Sequence, residues 1–154
     1  MTVRAWAVCL LITAGDQASK ALLLRRFPGL GDGRVVIPRV MDIRHVQNLG
    51  AAWGMLQGRQ MLLIACAVAA LLWLGFNLKR TFLPLRCGWL TWGLLAGGIT
   101  GNLIDRVWRG FVVDFIDVHC IRFPTFNLAD AAISFGVAAL ILTQGRRERS
   151  ASTK

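Results

Sequence analysis

Two runs of 18 residues without a charge, Met61–Leu78 and Cys87–Ile104, constrain this chain more than any other feature. Each is closed by charge, Lys79-Arg80 after the first and Asp105-Arg106 after the second. A helix needs about 20 apolar residues, at about 1.5 Å of rise each, to cross about 30 Å of hydrocarbon. Both runs therefore predict membrane-spanning helices. Composition agrees: 55% of the 154 residues are hydrophobic and 17% charged, which excludes a disordered chain or a disulfide-stapled miniprotein. The net charge is +10, yet the basic residues sit between apolar runs and form no patch interleaved with aromatics. Anchorage against anionic lipid is the simpler reading, and no nucleic-acid partner is expected.

Two further spans are expected at 5–24 and 127–144. The first carries Asp16 and Lys20; a signal-peptide reading lacks a small-x-small cleavage site, and the apolar pattern resumes after Lys20. The last has only 13 uncharged residues, Ala131–Thr143, covering about 20 Å. To cross, it must draw in Asn127–Asp130, which puts Asp130 at membrane depth. The expected organisation is one integral membrane domain with spans 5–24, 61–78, 87–104 and 127–144. Loops 25–60 and 105–126 lie on one side, and a basic tail, 145–154, on the other. Raw Lys/Arg counts on the two sides, eight and nine, decide nothing. Density favours cytoplasmic termini, because 79–86 holds three in eight residues while 25–60 holds six in 36. Within 25–60, Val35-Val36-Ile37, Val40, Ile43 and Val46, broken by Gly31, Gly33 and Pro38, predict short β segments. Ala51–Leu56 predicts a short interfacial helix anchored by Trp53.

Ionisable groups in a membrane persist only with partners or a task. Asp16 and Lys20, at i and i+4, read as a helix-packing ion pair. Asn102, Asp105 and Arg106 share a helix face behind Gly97, Gly98 and Gly101, which permit close helix approach; a polar knot between helices is the plain reading. Asp114 lies in Val112-Val113-Asp114-Phe115-Ile116 with no basic residue to offset it, and Asp130 stands at the mouth of the short fourth helix. Two carboxyls brought together in apolar surroundings share one proton near neutral pH, the arrangement that lets an aspartic dyad activate water and protonate an oxyanion. Asn127 can orient one of them. Spacing alone weighs this dyad evenly against a structural role.

Other chemistries have less support. Cys9, Cys66, Cys87 and Cys120 form no C-x-x-C pair, and the first three read as small core residues. His45 and His119 lack a zincin spacing, so no metal is expected, and His119 beside Asp117 reads as a loop hydrogen bond. No serine sits in a G-x-S-x-G elbow, and no Gly-rich phosphate loop is present.

Five motifs taken together resemble those of bacterial lipoprotein signal peptidase, or signal peptidase II. They are Asp16-Gln17-Ala18-Ser19-Lys20, Asn48-Leu49-Gly50-Ala51-Ala52-Trp53-Gly54, Gly97 through Arg106, Val112 through Ile116, and Phe123 through Asp130. They run in the family's order at nearly its spacing. The resemblance implies an all-α membrane protein of four transmembrane helices, with a small extracytoplasmic β-rich cradle and a short interfacial helix. It implies a metal- and cofactor-free aspartic endopeptidase of the bacterial cytoplasmic (inner) membrane. Such an enzyme cleaves diacylglyceryl-modified prolipoproteins just before the lipidated cysteine and is blocked by globomycin. Asp114 and Asp130 would be catalytic, with Asn48, Asn102, Asp105, Arg106 and Asn127 shaping the site and Asp16 with Lys20 supporting the fold. A monomer is expected. Leu49 and Thr100 depart from the family pattern, which bears on substrate or inhibitor contacts and not on the dyad. The alternative is a small four-helix proton-coupled exporter, in which Asp16 would exchange protons for a cation.

Overall fold

The computed structural model describes residues 2–51, 55–82, 84–85, 87–121 and 123–152, with side chains as far as Thr143. Four long helices carry a small sheet: α1 Thr2–Arg26, β1 Gly33–Ile37, β2 Met41–Asn48, α2 Gln60–Asn77, α3 Gly88–Trp108, β3 Val112–Val118 and α4 Leu128–Ser152. A π-helical segment, Leu78–Phe82, extends α2. Helices occupy all four expected stretches. The expected basic tail is helical through Ser152. The expected helix at Ala51–Leu56 falls largely on residues 52–54, outside the described residues.

Two helices, Thr2–Arg26 and Gln60–Phe82, are long and apolar enough to cross a membrane, and Leu128–Thr143 is a shorter apolar stretch. The first two turn apolar side chains outward: α2 buries only Leu63 and Leu74 and exposes Met61 and Phe76 by 77% and 84%. Such an inside-out surface fits lipid as the solvent. α3, expected as a clean span, is the exception. Its charge-free run is diluted by glycine, threonine and asparagine, because it is the central helix, packed against α1, α2 and α4. Small residues let its neighbours close in. A Cβ on Gly98 would lie 2.8 Å from Ile133 Cγ1 of α4, and one on Gly101 would lie 2.6 Å from Asp16 Oδ2 of α1.

Of the cysteines only Cys9 is buried. Cys66 and Cys87, expected in the core, are exposed, Cys66 on the outward face of α2.

The sheet is antiparallel in the order β1-β2-β3. β3 had no counterpart in the β segments expected from sequence. Its alternation does two jobs. Val113 and Phe115 pack with Leu23 of α1, while Val112 and Asp114 face a pocket between sheet and helices. A bulge in β2 between Ile43 and Val46 resets the register so that Val46 pairs with Asp114 and Asn48 with Val112. His45 lies in that bulge, buried and with no ring hydrogen bond among the described residues. His119 bonds Asp42 across the sheet at 2.9 Å, while Asp117, its expected partner, is 3.9 Å away. The tail of the β3–α4 connection is tied back: the N–H groups of Phe115 and Ile116 both donate to Phe126 O (3.0 and 2.8 Å), and Phe126 N–H donates to Ile116 O (3.0 Å). That tie sets Asn127 beside Asp114.

Candidate active site

Asn127 and Asp130 close the start of α4 as a reciprocal capping box. Asp130 N–H donates to Asn127 Oδ1 at 2.9 Å, and Asn127 N–H donates to Asp130 Oδ2 at 3.3 Å. With its oxygen committed to the cap, Asn127 must aim its amide nitrogen away from α4. It donates to Asp114 Oδ1 at 2.7 Å, with longer contacts to Asn102 Oδ1 and Val113 O.

The same logic fixes two more asparagines. Asn48 Oδ1 accepts the Gly50 N–H at 2.9 Å, so its Nδ2 donates to Asp114 Oδ2, also at 2.9 Å. Asn102 Oδ1 accepts Lys20 Nζ at 3.0 Å, so its Nδ2 donates to Asp130 Oδ1 at 2.7 Å. An ammonium has only donors, so it can face only the amide oxygen. Three amides, each held by its oxygen, thus present N–H groups to two carboxyls.

Asp114 and Asp130 line one cavity of about 650 Å³, together with Asn48, Asn102 and Arg106. Its lining extends along α4 as far as Ser134 and Phe135. Asp114 is 1% exposed. Its burial, reinforced by the negative charge of Asp130, pushes its carboxyl up to about 7, against the lowering effect of the Asn48 and Asn127 hydrogen bonds. Arg106 reaches across the cavity to Gly50 O at 3.0 Å, and its own carbonyl accepts Gln60 Nε2 at 3.1 Å. It thereby ties α3 to the segment after β2 and to the start of α2.

Behind the pair lies a fully buried ionic cluster. Lys20 Nζ is 2.8 Å from both Asp16 Oδ2 and Asp105 Oδ2. Asp16 Oδ1 accepts the Ala129 N–H at 3.0 Å, satisfying another donor at the start of α4. Asp105 also bonds Arg109 and Gln17 and accepts the Val113 N–H at 3.1 Å, next to Asp114. The expected pair of Asp16 and Lys20 is thus part of a larger knot, wired through Asn102 to Asp130. Asp16 and Lys20 do not line the cavity, so the exporter reading loses its accessible carboxylate.

Gln17 and Arg109 were absent from the expected set. Arg109 stands at i+4 from Asp105, a spacing that marks it as a partner. Gln17 carries no such signal, since its reach to Asp105 and to Gly101 O depends on how closely α1 and α3 approach.

The family described as signal peptidase (SPase) II matches residues 8–145 of the chain. A lipoprotein signal peptidase of Syntrophomonas wolfei subsp. wolfei (strain DSM 2245B / Goettingen) is 39% identical over 150 residues, 95% of this chain and 97% of that one. Two solved structures, each described as a bacterial membrane enzyme obtained by the in meso method, superpose along nearly the full chain. The one at 2.3 Å resolution has a TM-score of 0.88 at 30% identity, covering 97% of this chain and 91% of that one. The one at 1.9 Å has a TM-score of 0.78 at 31% identity, covering 90% of each.

Proposed function

The chain belongs to the signal peptidase II family, and from that premise we propose that Asp114 and Asp130 are its catalytic dyad. The protein is a bacterial membrane hydrolase that removes signal peptides from prolipoproteins. The observation that carries the dyad is the pair of carboxyls in one cavity, each receiving an oriented amide N–H. Near neutral pH the pair holds one proton. The ionised carboxylate takes a proton from water as the oxygen attacks the peptide carbonyl, and the protonated carboxyl donates to the developing oxyanion. Collapse of the tetrahedral intermediate breaks the C–N bond, and the dyad returns a proton to the leaving amine. Asn48, Asn102 and Asn127 hold the carboxyls in place, which limits their reorganisation as charge moves. Arg106 and Asp105 fix the elements that carry them.

The substrate is a precursor whose cysteine already bears diacylglycerol, and cleavage falls just before that residue. The lining of the cavity by Ser134 and the exposed Phe135 of α4 supports entry from the lipid, where the acyl chains remain. All four helices cross the cytoplasmic membrane, both termini are cytoplasmic, and the sheet lies on the extracytoplasmic face. The test is purified protein in detergent, offered a diacylated and an unlipidated precursor and followed by mass. Cleavage of the lipidated form alone, before the cysteine, is expected. Equal turnover of both forms would remove the lipid requirement, and no turnover of either would remove the reaction.

A further inference from the structure

The extracytoplasmic side assigned above carries a charge pattern that the reaction does not use. Residues 25–60 contain six arginines, no lysine and two acids. Loops on the outer side ordinarily carry few basic residues, so six need a reason. Neither acid offsets them fully. Asp32 accepts the Gly29 N–H at 2.9 Å, and Asp42 is shared between Arg44 and His119. Arg25, Arg26, Arg34 and Arg39 form no ion pair among the described residues. Arg25 and Arg26 suit the C-terminal turn of α1, where a helix favours cations. Arg34 has no such explanation, because it stands on an edge strand.

Two of these arginines meet at a second cleft. It has a volume of about 370 Å³ and lies between the end of α1 and the β1–β2 hairpin. Arg26 and Arg34 line it with Phe27, Val36 and Ile43. Arg34 pairs with Ile43 across the hairpin, so the two share the face turned to α1. Arg26 stacks over the Phe27 ring at 5.5 Å, which steadies its guanidinium at the rim. Every residue of β1 is exposed, including Val35, Val36 and Ile37, and Leu22 is exposed one turn below Arg26 on α1. The cleft therefore sets two guanidiniums beside apolar side chains. A guanidinium presents a planar fork that matches phosphate oxygens.

We propose that this cleft binds one anionic phospholipid of the surrounding leaflet, its phosphate between Arg26 and Arg34 and its upper acyl carbons against Phe27, Val36 and Ile43. The inference rests on the placement of the sheet at the lipid surface given above. The bound lipid pins the hairpin to the end of α1 and so fixes the height of the sheet over the bilayer.

Native mass spectrometry of the intact protein tests it, with phosphatidylglycerol and phosphatidylcholine of equal chain length as probes. The protein should retain phosphatidylglycerol in preference, and Arg26→Gln and Arg34→Gln should each weaken that retention about fivefold, as expected for one arginine near an anionic headgroup. Arg39→Gln, outside the cleft, should leave retention unchanged. Equal retention of the two lipids, or a preference that survives the double variant, overturns the proposal. Displacement by millimolar glycerol 1-phosphate would make the cleft a site for free phosphate esters and overturn the lipid assignment. Cleavage of the precursor in uncharged micelles should match the unaltered protein; a raised KM there would give the cleft to the precursor instead. Retention is read on the intact protein whether or not it cleaves, so failure of the dyad leaves this measurement standing.

Discussion

Asp114 is held by two side-chain amides and shares its cavity with a second carboxyl, so with the proposed dyad its titration should be read in both activity and stability. Loss of the shared proton should lower kcat/KM as pH rises, with an alkaline limb near 7 in a rate profile. The stability effect has a definite sign. A carboxyl whose folded value is raised contributes fully below its unfolded value near 3.9, and the contribution disappears as pH rises through about 7. Denaturation midpoints should therefore fall across that window, and Asp114→Asn should flatten the slope. Asp114→Asn and Asp130→Asn should each reduce turnover of a lipidated precursor at least about 10²–10⁴-fold while the protein still accumulates; near-normal turnover by either variant would overturn the dyad. The two acids were legible in the sequence because apolar neighbours left them without an obvious partner. The orientation of the asparagines was not, since it depends on Lys20, Gly50 and the α4 backbone, which are brought in from other elements.

At the scale of elements, the start of α4 joins structure to the proposed chemistry. Asn127→Ser keeps an oxygen for the cap but removes the donor to Asp114. Stability should fall by about 1–3 kcal/mol, because buried acceptors lose their donor, while kcat per folded molecule should also drop; an unchanged kcat per folded molecule would make the role of Asn127 structural only. The α1–α3 contact has a different sensitivity. Asp16→Asn weakens a buried ionic cluster that does not line the cavity, so the amount of folded protein should fall with kcat per folded molecule retained. A large loss of kcat at unchanged yield would contradict that role. The helices were readable from charge-free runs and the β1–β2 hairpin from its glycine and proline breaks. β3 was not, because apolar residues point to both of its faces: Val113 and Phe115 toward α1, Val112 toward the cavity. Alternation vanishes when both sides of a strand are covered.

For the whole molecule, the proposed arrangement of four spans with the sheet outside predicts a labelling pattern. With Cys120 as the sole cysteine, exposed just after β3, an impermeant thiol reagent should label intact spheroplasts. With Ser150→Cys as the sole cysteine, labelling should need permeabilisation; the reverse pattern would invert the topology. Chelators should leave cleavage unchanged, and loss restored by zinc would replace the dyad with a metal mechanism. The number of helices follows from hydropathy, but the central place of α3 does not. Its glycines mark close approach without saying which neighbours approach.

The capping box at α4 has a consequence for how such a protein can change over generations. Elsewhere in a protein, helix starts drift freely among serine, threonine, aspartate and asparagine, trading one good cap for another. Under the proposed mechanism that exchange is closed, because the residue that begins the helix would also feed the reaction, and the acid three positions on would do the same. A lineage seeking a sturdier fold must find its mutations away from this corner. Any homologue that has swapped the asparagine for another good cap is a candidate for a protein that has kept the shape and abandoned the cutting.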